Sequence, residues 1–101
     1  MPIDLIDAVI NQDVAKVKEL LEQGANPNET DDWTNVTPMH FAAQHNLIDI
    51  AMLLIGAGAK IDIRDGIDHE TALDVAKIHG HKEMVALLTN LQQKLISEGS
   101  C

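Results

Sequence analysis

The stretch "LIDIAMLLIGAGAKID" (Leu47–Asp62) has a counterpart 34 residues earlier, "DVAKVKELLEQGANPN" (Asp13–Asn28), and another 34 residues later, "HKEMVALLTNLQQKLI" (His81–Ile96). The same shift aligns Leu20, Leu54 and Leu88, and pairs Gly24 with Gly58, Asn28 with Asp62, Asp31 with Asp65, Thr37 with Thr71 and His45 with His79. Self-similarity at a fixed period of this size marks an array of stacked supersecondary units. A single globular core would show no such register.

Each unit reads as two short helices. In the second unit Thr37 is placed as an N-cap and Pro38 at the first helical position, where its missing N–H costs nothing. That helix is expected to stop near Asn46, a residue that tolerates left-handed backbone, with Gly80 in the same place one unit on. The next helix, around Ile48–Ile55, carries Ile50, Leu53 and Leu54 on one side and ends before Gly58; unit one offers Val14, Val17, Leu20 and Leu21 for the same face. "AKIDIRDGIDHE" (Ala59–Glu70) then alternates and turns, which predicts a hairpin-like finger leading to the next helix pair. Leu88, Leu91 and Leu95 keep helical spacing, so the last helix is expected to run on into the tail.

The register also separates core from surface. Leu5, Met39 and Leu73 share one position and Ala8, Ala42 and Ala76 another; both stay apolar throughout, as core positions must. Val9, Ala43 and Lys77 describe a position buried in only part of the stack. Asp7, Phe41 and Val75 describe one that is not strict core. Aromatic residues make up only 2% of the chain, so the core must be built from Leu, Ile, Val, Ala and Met, which suits thin, closely stacked helices.

The pattern resembles the ankyrin repeat family. The resemblance covers residues 3 to 90 or so and rests on "TPMHFAA" (Thr37–Ala43), "LLEQGANPN" (Leu20–Asn28), "LLIGAGAKID" (Leu53–Asp62) and the short loops "HNLID" and "HGHKE". It implies an all-α solenoid of stacked helix-turn-helix units joined by fingers, in one domain. The units are a capping unit at 1–31, a central unit at 32–65, and a capping unit with tail at 66–101. It further implies that His40 bonds Thr37 and neighbouring backbone, and that His81 is a loop residue. Unit one lacks the Thr-Pro element and unit three has "TALDVA" (Thr71–Ala76), with Ala72 for proline and Asp74 for histidine. Both fingers hold one residue more than the family pattern, and Asn35 and His69 stand where the family prefers glycine, so the fingertips are expected to be remodelled.

Several function classes fall away on composition. The net charge of −9 includes no cluster of Lys and Arg, which excludes a nucleic-acid surface and disfavours anionic membranes. The single cysteine, Cys101, allows no disulfide within the chain. "MPIDLIDAVI" has neither a basic n-region nor a long apolar run, so a cytosolic setting is expected. The sequons at Asn28 and Asn35 are then coincidental. In "DIRDGIDHE" an EF-hand loop centred on Gly66 would need ligands at Ile61 and Ile63, which fails. His79 and His81 lack the further convergent ligands of a zinc site, "GAGAK" lacks P-loop spacing, and both Ser97 and Ser100 lie in the tail. Neither a cofactor, a metal nor an enzyme is expected.

What remains is binding. The family's fingers and the exposed side of its first helices form a concave surface that grips other proteins. On matching positions that surface comprises Trp33, Thr34, Val36 and His45 from unit two and Ile67, Asp68, Glu70 and His79 from unit three, with Phe41 at its edge. The only Trp in the chain sits in a polar finger, and Trp is enriched among residues that dominate binding energy. The expected function is a small adaptor or inhibitor, monomeric, whose acidic surround favours a partner protein with a basic surface. Self-association through the same patch, or metal or ligand binding, are the rival classes.

Overall fold

The computed structural model describes residues 4–30, 35–66 and 68–99, with 92–99 followed as helix backbone. Six helices alternate with short loops: α1 (Leu5–Ile10), α2 (Val14–Glu22), α3 (Pro38–Gln44), α4 (Ile48–Gly56), α5 (Ala72–Ile78) and α6 (Lys82–Gly99). They pair as α1·α2, α3·α4 and α5·α6, and the pairs stack, with α3 between α1 and α5 in an inner row and α2 against α4 in an outer one. No strand occurs among the described residues; the finger ahead of α5 is closed by one backbone bond, from Asp65 N–H to the Glu70 carbonyl at 2.9 Å.

Local chemistry sets the helix ends. Asp4, Thr37 and Thr71 N-cap α1, α3 and α5, each accepting a backbone N–H three residues on. The loops inside each pair turn at Gln12, Asn46 and Gly80, which share one register position and all have positive φ (57°, 54° and 70°). α2 and α4 stop just before Gly24 and Gly58, whereas α6 continues through the equivalent position, Gln92, as the tail spacing predicted.

The core runs as a seam between the rows: Leu5, Ala8, Val9, Val17, Met39, Ala42, Ala43, Ile50, Ala51, Leu54, Ala76, Met84 and Leu88 are all at most 1% exposed. Two expectations need correcting. Val14 is 42% exposed, not part of the buried face. It opens α2, and its register partners Ile48 and Lys82 are half-buried and exposed, so the position sits at the edge of the seam. Leu73 is only half-buried although Leu5 and Met39 are sealed. In the third unit no further helix pair covers it among the described residues.

The same logic explains two lysines. Lys77 is exposed where Val9 and Ala43 are fully buried, and Lys16 is half-buried where Ile50 and Met84 are. One end of the stack therefore carries a lysine at a position that the next unit covers elsewhere. The other end carries one at a position that the preceding unit covers.

Two described positions of the fingers keep the backbone turn of the family's glycine, while residues 31–34 and 67, where the expected remodelling falls, lie outside the described residues. Asn35 and His69 have φ of 55° and 56°, the left-handed region that glycine enters freely, so the backbone keeps the glycine-type turn under two other side chains. Asn tolerates this region; His and Gln are strained in it. His69→Gly and Gln12→Gly are each expected to raise stability by about 0.5–1 kcal/mol, relief of strain outweighing the looser unfolded chain. Thermal melts of the two variants check this, and an unchanged or lower Tm would show that these turns store no strain.

Candidate protein-binding surface

Hydrogen bonds between units fix how the fingers sit. Thr37 N–H donates to His40 Nδ1 at 3.0 Å, so Nδ1 is bare and Nε2 carries the proton, which it donates to the Glu70 carbonyl at 2.8 Å. His40 is 3% exposed and thereby ties α3 to the finger ahead of α5. Asn35 Nδ2–H donates to the Arg64 carbonyl at 3.3 Å, joining one finger to the next. Between units one and two, Asn28 accepts from Lys60 N–H at 2.7 Å and donates to the Gly58 carbonyl at 3.4 Å. On the opposite edge, His81 Nε2–H donates to the Gln44 carbonyl at 2.9 Å. Both structural histidines thus do what the family resemblance implied for them.

The described site residues fall into two bands. Val36, Asp68 and Glu70 lie in the fingers, ahead of α3 and α5; Val36 and Glu70 are half-buried and Asp68 is exposed. His45 and His79 are exposed C-caps of α3 and α5, at the other end of those helices, about 12 Å away at 1.5 Å per residue. The His79 ring stacks on His81 with centroids 5.9 Å apart. Phe41 is half-buried between the bands. Trp33, Thr34 and Ile67 lie outside the described residues. Sequence reasoning missed Ile78, the last residue of α5, which is 65% exposed beside His79. The signal was present: its register partner in α3 is Gln44, and a core position would not hold a glutamine.

The fingertip is crowded with carboxylates. Partial burial raises the Glu70 pKa above 4.5, and the nearby charges of Asp68, Asp65 and Asp74 raise it further, while His79 opposes them. Arg64 is the neighbouring cation, but it donates to the His69 carbonyl at 2.9 Å and lies 3.8 Å from Asp74 in an exposed pair. A carboxyl with a raised folded-state pKa binds more protons folded than unfolded, so its ionisation opposes folding as pH climbs above 4.5. Glu70→Gln is therefore expected to be more stable than the wild type near neutrality, with the advantage vanishing below pH 4.5. Urea melts of both proteins across that range test it; a constant offset at every pH would show that ionisation of Glu70 is irrelevant.

Among the described residues no three His, Cys, Asp or Glu side chains converge as a metal site, and no helix is long and apolar enough to cross a membrane. The geometry instead defines a stacked helical repeat whose turns project from one edge.

Residues 5–97 match the family model for ankyrin repeats, in three copies, and the chain belongs to the ankyrin repeat family. It is 42% identical over 69 residues to cyclin-dependent kinase inhibitor 2A of Monodelphis domestica, a match covering 68% of this chain and 40% of the relative. It is 37% identical over 75 residues to the Homo sapiens cyclin-dependent kinase 4 inhibitor B, covering 73% of this chain and 54% of the relative. It is also 34% identical over 88 residues to the potassium channel GORK of Arabidopsis thaliana, covering 87% of this chain and 10% of that one. The chain thus spans about half or less of each of these relatives. Ankyrin repeats mediate protein–protein interaction, and they occur in relatives as different as a kinase inhibitor and a channel.

Proposed function

We propose that this chain is a small cytoplasmic interaction module, an adaptor or inhibitor and not an enzyme, that grips a partner protein on its concave finger and inner-helix surface. Trp33 is the leading anchor, with Thr34, Val36, His45, Ile67, Asp68, Glu70 and His79 around it. Units 1–31 and 66–101 act as caps about the central unit 32–65, and the lysines at the two ends of the stack support that reading and a monomeric state.

The observation that carries the reading is the bonding of the fingers. His40 to the Glu70 carbonyl and Asn35 to the Arg64 carbonyl hold adjacent fingers in fixed register. A surface held this way gives up little freedom on binding, which is how a short repeat array reaches useful affinity. The fingertip carboxylates Asp68 and Glu70 favour a basic partner and speed its encounter.

Affinity capture from cell lysate with wild type, Trp33→Ala and Asp68→Lys tests this, once all three melt alike. A partner retained by the wild type should be lost on Trp33→Ala, which is expected to cost about 2 kcal/mol of binding. Asp68→Lys should weaken the same partner. Equal capture by all three would place the site elsewhere.

A further inference from the structure

The inner row has a stripe, aliphatic at its two ends, that the reading above does not use. Ile10, Gln44 and Ile78 close α1, α3 and α5 at one register position, and the two isoleucines are 46% and 65% exposed. α3 packs directly on both α1 and α5, and packed helices lie about 8–10 Å apart, so the stripe advances by about 10 Å per unit.

We propose that the occupant of the concave surface is a basic amphipathic helix lying along the stack, whose aliphatic side chains seven residues apart seat on Ile10, Gln44 and Ile78. The inference rests on the protein-binding reading and gives the partner segment its chemistry. Seven residues of α-helix rise about 10.5 Å and return to the same face, so positions i, i+7 and i+14 match the stripe. An extended strand reaches about 10 Å in three residues, but its side chains alternate, so i and i+3 point to opposite faces. A helix fits and a strand does not.

Charge complementarity supplies the basic character. Asp7 lies one turn before Ile10, and Asp68 and Glu70 line the finger about 12 Å to one side of Ile78, within reach of long basic side chains on the flank of a helix seated on the stripe; none of the three has an ion-pair partner among the described residues. α1 and α3 carry no Lys or Arg, Lys77 of α5 stands at the position that a following unit covers in the other units, and the one arginine of the fingertip, Arg64, is already engaged with the His69 carbonyl and Asp74. A second copy of this chain is a poor occupant, because its own net charge is −9.

The test is selection of a displayed library of random 18-residue peptides on the wild type, followed by binding of the enriched peptides to Ile10→Glu, Ile78→Glu and Asp68→Lys. Met52→Glu is the control, since Met52 is 57% exposed on α4 in the outer row. The expected peptides carry Lys or Arg with aliphatics at a spacing of seven and become helical on binding. They should lose affinity about tenfold or more on Ile10→Glu and on Ile78→Glu, weaken in salt, and ignore Met52→Glu. Peptides lost on Asp68→Lys but indifferent to Ile10 and Ile78, or lacking the spacing, would overturn the helical occupant while leaving the concave site standing. Peptides lost only on Met52→Glu, or no enrichment at all, would overturn both.

Discussion

Ala43→Lys is expected to cost about 3–5 kcal/mol and to split a single unfolding transition in two, because it buries an unpaired ammonium between the second and third units. Ala43 and Val9 are fully buried, yet the same register position in the third unit already holds a lysine, Lys77, which is exposed. One residue type is therefore tolerated at one end of the array and excluded 34 residues earlier, purely because of what lies next to it. A small domain has only about 5–15 kcal/mol of total stability, so a loss of this size is severe. The stack has a cheaper response than burying the charge, which is to release the third unit, since each unit contacts only its neighbours. Urea denaturation followed by circular dichroism would show an early partial transition. Lys77→Ala is the matched control and should change stability by no more than about 0.5 kcal/mol. A single transition with a loss below about 1 kcal/mol for Ala43→Lys would mean that the junction is not sealed at this position.

That comparison shows what a repeating sequence reveals about its own fold. Superposing units reports what each position tolerates, so Ala8, Ala42 and Ala76 could be read as core, and Lys77 marked burial that fades along the stack. The left-handed turns at Asn46 and Gly80 were legible because few residues suit them. The register says less where a side chain meets atoms some thirty residues away. That Asn28 clips the backbone of Gly58 and Lys60 depends on how the units stack, which no single position records. Val14 looked apolar enough for the core but opens its helix at the edge of the seam. Ile78 was passed over for the opposite reason: an aliphatic residue at the end of a helix reads as packing unless its counterpart, Gln44, is consulted. Trp33, whose placement in a polar finger raised the question of a binding anchor, lies outside the described residues, and its role stands as a proposal.

His40→Ala is expected to cost about 3–4 kcal/mol, made of three parts that a second variant separates. Removing the imidazole strips Thr37, which is 1% exposed, of the acceptor for its backbone N–H. It also empties a buried site, and it deletes the bond to the Glu70 carbonyl. That carbonyl still accepts from Asp65 N–H at 2.9 Å, so the last loss is the smallest, about 1 kcal/mol. The third unit shows what the first part looks like alone: Asp74 Oδ2 accepts from Thr71 N–H at 3.1 Å, and no following finger lies beyond it among the described residues. His40→Asn copies that arrangement without adding a charge, so it should satisfy Thr37 and recover about 1–2 kcal/mol of the loss. The remaining deficit measures the link between α3 and the next finger together with the space that Asn leaves unfilled, and the link's share should appear as a shallower denaturant dependence as the units uncouple. Equal losses for His40→Ala and His40→Asn would assign the effect to that link and the emptied site and leave the Thr37 bond without weight. A loss below about 1 kcal/mol for both would mean that the fingers are not held by His40 at all, and the rigid binding surface would need another source.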